Sequence, residues 1–225
     1  MKKSKNQKKA LEAFDLQKVY SIEEALDILE KFPKAKFDET VEVHVKTEIN
    51  SKKTDQQIRT TVSLPNGSGK KTMVVAFTES SQAEAKKAGA DLVGGEELIA
   101  KIIKDKDIIA DVAVATPDMM PKLAGIAKIL GPKGLMPNAK SQTVSPQIGK
   151  TIEEIKKGKA SFKNDNGSNI HLAIGKRSFD KKALQENFEE FKKVLHANKP
   201  EAIKKAFIKN ISISATMTPG IKIQL

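Results

Sequence analysis

Near both ends of this chain the apolar residues fall two apart, whereas across its middle they run unbroken between helical stretches, and the economical account of the two patterns is two domains. Thr40 to Thr47 alternates Val41, Val43 and Val45 with Glu42, His44 and Lys46, as a strand with one wet face requires. Ile58, Thr60, Val62 and Leu64 repeat the pattern, and Pro65-Asn66-Gly67-Ser68-Gly69 closes it with turn chemistry. The alternation returns in Ile170, Leu172 and Ile174, then in two strands, Ile211 to Ala215 and Ile221 to Leu225, around Thr216-Met217-Thr218-Pro219-Gly220. Two helices accompany them. One starts at Ile22 behind the capping box of Ser21 and Glu24 and ends at Pro33; the other carries Leu184, Phe188, Phe191 and Leu195.

The middle follows a different rule. Met73 to Phe77, Leu92-Val93 and Ile109 to Ala115 alternate with helical stretches near Ser81 to Ala88, Glu96 to Lys104, Met120 to Leu130 and Thr151 to Lys157. Strands covered on both faces give such continuous runs, and strand–helix alternation gives a parallel sheet. The expected fold is therefore both α/β and α+β. Residues 1–66 with 161–225 make a discontinuous, open-faced antiparallel α+β domain, and residues 67–160 make an inserted three-layer Rossmann-like α/β domain. Two adjacent chain crossings permit hinge motion.

The formal charge of +12 predicts a polyanionic partner, since lysines that neutralise phosphates release condensed counterions. Only Arg59 and Arg177 are arginine, so bidentate reading of base edges contributes little and backbone contact by lysine point charges is favoured. The charge is spread evenly, which a merely solubilising surface would also produce. Residues 1–9 are basic without apolar periodicity and read as a disordered tail. With no run of 18 apolar residues and no apolar stretch after Met1, no membrane partner is expected and a soluble cytoplasmic protein is. The absence of cysteine and the scatter of His44, His171 and His196 leave no basis for a metal, and no cofactor is implied.

Enzyme motifs fail on inspection. Asn66 to Thr72 resembles a phosphate loop, but Leu64 stands where glycine is needed and Lys71 where Ser or Thr is needed, and its glycines precede a strand instead of opening a helix. Gly94-Gly95 lacks the rest of a dinucleotide fingerprint. No Ser-His-Asp set or carboxylate pair is identifiable by spacing.

One loop stands apart. Ile129-Leu130-Gly131-Pro132-Lys133-Gly134-Leu135-Met136-Pro137-Asn138-Ala139-Lys140 stops a helix and continues as a basic segment without an acid, shaped by glycine, proline and asparagine. It resembles the signature of the L-one family of large-subunit ribosomal proteins. The resemblance extends through Lys36-Phe37-Asp38-Glu39-Thr40-Val41-Glu42-Val43, Asp55-Gln56-Gln57-Ile58-Arg59, Leu64 to Lys70, Gly89-Ala90-Asp91, Ala115 to Met120, and Ile170-His171 to Gly175-Lys176, in order over nearly the whole chain.

That resemblance implies a structural, non-enzymatic constituent of the large ribosomal subunit. It implies binding of large-subunit rRNA at the mobile stalk, assistance to release of exit-site tRNA, repression of translation from the protein's own operon mRNA, and a monomer off the ribosome. In the family the outer domain makes the main rRNA contact, where the Phe-Asp-Glu-Thr segment meets a C-terminal Thr-Met-Gly-Pro turn. Carried over, this names Lys36, Phe37, Thr40, Glu42, Thr216, Met217, Thr218 and Gly220, with Asp165 and His171 as lesser contacts; separately, Lys133 and Lys140 of the basic loop suit a secondary RNA contact. From residue type alone Phe37 fits a core, Thr40 fits plain strand surface, and Met217 packs more often than it binds.

The chain departs from the family at Thr218 in place of glycine, Ala215 in place of serine, Asn166 beside Asp165, and Lys204-Lys205-Ala206-Phe207. Threonine at position 218 would be strained if the turn needs positive φ. The rival is a Rossmann-like enzyme acting on nucleotides or phosphorylated sugars.

Overall fold

A computed structural model of the chain describes residues 5–12, 14–203 and 206–224. It divides into two compact units, Met1–Gly69 with Ala160–Leu225, and Lys70–Lys159.

In the first unit β1 (Thr40–Thr47) lies between β7 (Asn169–Lys176) and β8 (Ile208–Ala215), with β9 (Ile221–Ile223) beyond β8, and every pair is antiparallel. Alternation dictates the two faces. Val41, Val43, Val45, Ile170, Ile174, Ile211 and Ile213 are buried on one side, against Ala25, Leu26 and Leu29 of α2 (Ile22–Lys31) and Leu184, Phe188, Phe191 and Leu195 of α8 (Lys181–Ala197). Glu42, His44, Lys46 and His171 alternate with those residues on the uncovered side. The sheet is thus open-faced, as its period-two pattern predicts. Ser21 caps α2 through a reciprocal capping box with Glu24. A two-stranded sheet of β2 (Arg59–Ser63) and β6 (Lys159–Lys163) adds Val62 and Phe162 to the core, the latter ring edge-on to Phe191 at 5.3 Å between centroids.

Residues 67–69, placed with the insert by their glycine content, pack on the first unit. Asn187 Nδ2 donates to Gly67 O at 2.9 Å, and a Cβ on Gly69 would meet Lys176 Cγ at 2.7 Å and the Phe179 ring at 3.0 Å. Of the basic tail expected to be disordered over 1–9, residues 1–4 lie outside the described residues, while Lys5–Glu12 forms helix α1, whose Ala10 is buried with the core of the first unit.

The second unit is built on three parallel strands in the order β4 (Leu92–Gly94), β3 (Val74–Phe77), β5 (Val112–Ala115). All four residues of β3 are buried, as its unbroken apolar run predicts. Val75, Phe77, Ala113 and Ala115 face a cluster with Ile99 and Ile102 of α4 (Glu96–Asp105), and with Met119, Leu123, Ile126, Leu130 and Leu135. Val74, Ala76 and Val114 face the other way, toward Ala85 of α3 (Gln82–Lys87) and Ile148, Ile152 and Ile155 of α7 (Ile148–Lys156). Sheet plus two helical layers is the three-layer arrangement expected. The helix expected over Met120 to Leu130 is α5 (Met120–Leu123) and α6 (Ala127–Leu130) joined by a 3-10 turn containing Gly125; glycine is the weakest helix former after proline. The strand expected from Ile109 starts at Val112. Asp111 accepts from Met73 N at 3.0 Å and ties the chain down just before it, leaving Ile109 74% exposed.

Candidate nucleic-acid interface

Antiparallel pairing on both sides of β1 brings three distant pieces of the first unit to one corner. Thr40 lies opposite Lys176, and Val41 opposite Ala215, so the 36–40 segment, the end of β7 and the turn after β8 become neighbours. Thr216 closes the corner. Its Oγ1 accepts from Thr40 N at 3.1 Å and donates to Thr40 O at 3.4 Å, while Lys176 Nζ donates to Thr40 Oγ1 at 2.8 Å.

Below this corner lies a buried charge pair that residue spacing did not reveal. Glu39 is 1% exposed and forms an ion pair with Arg177, whose side chain is 8% exposed. Arg177 also donates to Leu29 O and Phe32 O, each at 2.6 Å, filling orphan carbonyls at the end of α2. The other carboxylate oxygen of Glu39 accepts from Met217 N at 3.1 Å. One carboxylate thus ties the Thr216-Met217 turn to the frame. Asp38 is held similarly: its carboxylate accepts from Ser178 N at 3.2 Å and from Ser178 Oγ at 2.7 Å.

With the backbone so tied, the side chains above it face outward. Phe37 is 54% exposed and Met217 is 60% exposed, so neither belongs to the core. Lys36 is exposed, and Glu42 has no hydrogen-bond or ion-pair partner among the described residues. Thr218 is not in the left-handed region, so the expected strain is absent. Its Oγ1 instead accepts from Ala215 N at 2.8 Å, and its own N donates to Ala215 O at 3.0 Å, which closes the turn without glycine. Gly220 also lacks positive φ and connects this turn to β9.

Cross-strand register arranges the rest of the open face in rows. Glu42 stands opposite Ala173 and Ser214, His44 opposite His171 and Ser212, and Lys46 opposite Asn169 and Asn210. Lys222 lies beyond Ser212. His44 Nδ1 is 2.8 Å from His171 Nδ1, and His44 Nε2 is 3.0 Å from Ser214 Oγ. Burial, then the neighbouring imidazole, holds His44 below its ordinary value, with Glu42 acting the other way. Asp165 Oδ2 accepts from Asn169 Nδ2 at 3.0 Å and Oδ1 from Asn169 N at 2.7 Å; these bonds hold its carboxyl below the usual range. Asn166 offers its carbonyl to Ser51 Oγ at 2.7 Å.

Lys36, Phe37, Thr40, Glu42, Asp165, His171, Thr216, Met217, Thr218 and Gly220 all fall in the first unit. Lys133 and Lys140 fall in the second, where Lys133 is taken up by an ion pair with Asp107 and a 3.0 Å bond to Ile108 O. Lys140 is exposed. Of the divergent segment 204–207, Lys204 and Lys205 lie outside the described residues, and Phe207 is buried in the core. Glu39, Arg177, Asp38, Ser178, His44 and Ser214 complete the constellation. Only the outward side of the alternating strands signalled the last two, and nothing local signalled the ion pair. Among the described residues no group of His, Asp and Glu side chains is placed to hold a metal ion.

The chain matches the model of the Ribosomal protein L1p/L10e family over residues 29–219. It is 46% identical over 224 residues to the large ribosomal subunit protein uL1 of Thermosipho melanesiensis, covering 99% of this chain and 96% of that one. To the large ribosomal subunit protein uL1 of Mesoplasma florum it is 48% identical over 222 residues, covering 99% and 98%. To that of Fervidobacterium nodosum the figure is 44% over 225 residues, covering 100% and 96%.

Proposed function

The chain belongs to the Ribosomal protein L1p/L10e family, and from that premise we propose that it grips large-subunit rRNA of the mobile stalk with the Thr40–Thr216 corner of its first unit. It is a structural constituent of the large ribosomal subunit, cytoplasmic with it, and not an enzyme, which displaces the nucleotide- or sugar-enzyme reading. The observation that carries the RNA reading is the pairing of a fixed backbone with free side chains. Thr40 and Thr216 are locked to each other and Met217 N is locked to Glu39, while Phe37, Met217 and Lys36 stay exposed and the half-buried Glu42 carboxylate keeps no partner among the described residues.

Each open group has a partner on structured RNA. Lys36 and Lys176 suit phosphates, the free Glu42 carboxylate accepts from a ribose 2′-OH, and Phe37 and Met217 pack on sugar faces. With no tryptophan and one tyrosine in the chain, recognition follows RNA shape more than stacked, splayed bases. On the same footing the protein assists exit-site tRNA release, represses its own operon mRNA through a fold like the stalk rRNA, and is a monomer off the ribosome.

A filter-binding titration against a stalk rRNA fragment tests the central claim. Sub-micromolar affinity that weakens steeply with salt is expected, because log K falls by about 0.9 or less per neutralised phosphate per decade of salt. Binding no tighter than to an unrelated duplex would refute it.

A further inference from the structure

The 2.8 Å approach of His44 Nδ1 to His171 Nδ1 means that one nitrogen carries the proton between them and the other presents a lone pair. The flanking groups decide which. On the outer side the Asp165 carboxylate lies 3.7 Å from His171 Nε2; a carboxylate favours an N–H facing it, so the proton of His171 belongs on Nε2 and its Nδ1 is an acceptor. His44 must then donate from Nδ1. Its Nε2, 3.0 Å from Ser214 Oγ, accepts from that hydroxyl. The donors therefore run one way, from Ser214 through His44 and His171 toward Asp165.

The last donor in this series is left underused. At 3.7 Å the Asp165 contact is longer than a hydrogen bond, and both oxygens of Asp165 already accept from Asn169. The His171 side chain is 51% exposed. Its Nε2–H thus sits on the same open sheet face as Glu42, available to an acceptor from outside.

We propose that His44 is a positioning residue for RNA: it fixes His171 as the Nε2–H tautomer, which donates to a phosphate oxygen of the bound RNA, and it limits the imidazole pair to one added proton. The inference rests on the RNA-binding reading and goes beyond it by assigning a tautomer, a ligand atom and a proton count. Two doubly protonated rings would set N–H against N–H across 2.8 Å, so the pair takes up at most one positive charge, the added proton entering at His44 Nε2 with Ser214 Oγ turning to accept from it. The charged groups around it are Glu42 and Lys46 on β1, Asp165 ahead of β7, and Lys222 on β9; β8 presents the neutral Asn210, Ser212 and Ser214. A phosphate on His171 favours the charged pair, so RNA binding takes up one proton as the pH falls, and linkage caps the gain at about tenfold in Kd per pH unit.

Two measurements on the full chain test this. Imidazole nitrogen shifts of the free protein at pH 8 are expected to show His171 as Nε2–H, and a mixture of tautomers in His44→Phe, which keeps a ring but no nitrogen, and in Ser214→Ala. Affinity for the stalk rRNA fragment is expected to tighten several-fold from pH 8 to pH 5.5 at constant salt in the parent chain; in His44→Phe it is expected to be several-fold weaker at pH 8, where the donor tautomer is no longer fixed, and to recover toward the parent at pH 5.5, where the lone His171 takes up the proton itself. Where circular dichroism shows that His44→Phe does not fold, Ser214→Ala decides by the same readouts. An Nδ1–H tautomer in the parent chain, or tight RNA binding with no pH dependence, overturns the inference and leaves the RNA reading standing. No RNA binding at any pH removes both.

Discussion

Thr216 is asked to do two things at once, and the substitution that separates them is Thr216→Val. Valine keeps the volume but leaves Thr40 N without its acceptor, which costs about 0.5–1.5 kcal/mol of stability by denaturant unfolding. RNA affinity is expected to fall by roughly 1–3 kcal/mol as the 36–40 segment loosens, and Thr216→Ser is expected to restore both. An unchanged rRNA Kd in the valine variant would take Thr216 out of the interface. Glu39→Gln probes the layer beneath. It leaves the Arg177 guanidinium buried without a counter-charge, facing only neutral carbonyl and amide oxygens, so unfolding free energy is expected to drop by about 3 kcal/mol, far more than for any exposed ion pair here. A loss under about 1 kcal/mol would mean that the carbonyls suffice. This ion pair also marks the limit of residue-level legibility. Glu42 and His171 could be placed on an outward face because period two decides it locally, whereas Glu39 and Arg177 are 138 positions apart and meet only through the β1–β7 register. Phe37 and Met217 were ambiguous for the converse reason: side-chain type says apolar, and only the tied backbone on either side keeps them out of the core.

At the level of elements, legibility tracks how strongly a pattern is bound to burial. Thr40–Thr47 and its two faces follow directly from alternation, and the buried β3 from its unbroken run. Elements whose limits depend on a single polar contact were harder to delimit: β5 starts only after Asp111 has bound Met73 N, and the helical stretch before the glycine-rich loop breaks at Gly125. The lysines of the loop suit a secondary RNA contact, and Lys133 also answers Asp107, an acid 26 positions earlier that local composition does not weigh. Helix α8 offers the clearest energetic test. Phe188 is 1% exposed in the layer that covers the sheet opposite its open face. Phe188→Ala is expected to cost about 3–5 kcal/mol in denaturant unfolding, from lost transfer energy plus the cavity left behind. Because Phe188 lies behind the sheet, rRNA affinity measured well below the unfolding transition should change little. A large affinity loss in a fully folded variant would show that the open face depends on α8 more directly than its packing implies.

Across the whole molecule, the two units have separate cores, and that separation has a functional corollary. Among the described residues no core cluster mixes the strands of the four-stranded sheet with those of the parallel one, so each unit satisfies its own burial requirement. The chain leaves the first unit at Gly69, six residues after β2, and re-enters it at Ala160, within β6, and these two strands are paired, with Asn164 N donating to Ile58 O at 3.2 Å beside them. A short Gly/Ser linker in place of residues 70–159 should therefore close without pulling the sheet apart, since loop closure adds only a few tenths of a kcal/mol for modest changes in length. The excised protein is expected to unfold cooperatively and to bind the stalk rRNA fragment within roughly tenfold of the full chain. Its affinity should remain sensitive to Thr216→Val, and its salt slope should fall only by the number of phosphates that the lysines of the second unit neutralise. If the first unit folds alone yet loses its rRNA preference, the corner around Thr40 and Thr216 is not the principal contact, and recognition must be shared with the inserted unit. If it binds with the same slope as the full chain, Lys133 and Lys140 contribute no phosphate contact, in keeping with the engagement of Lys133 by Asp107.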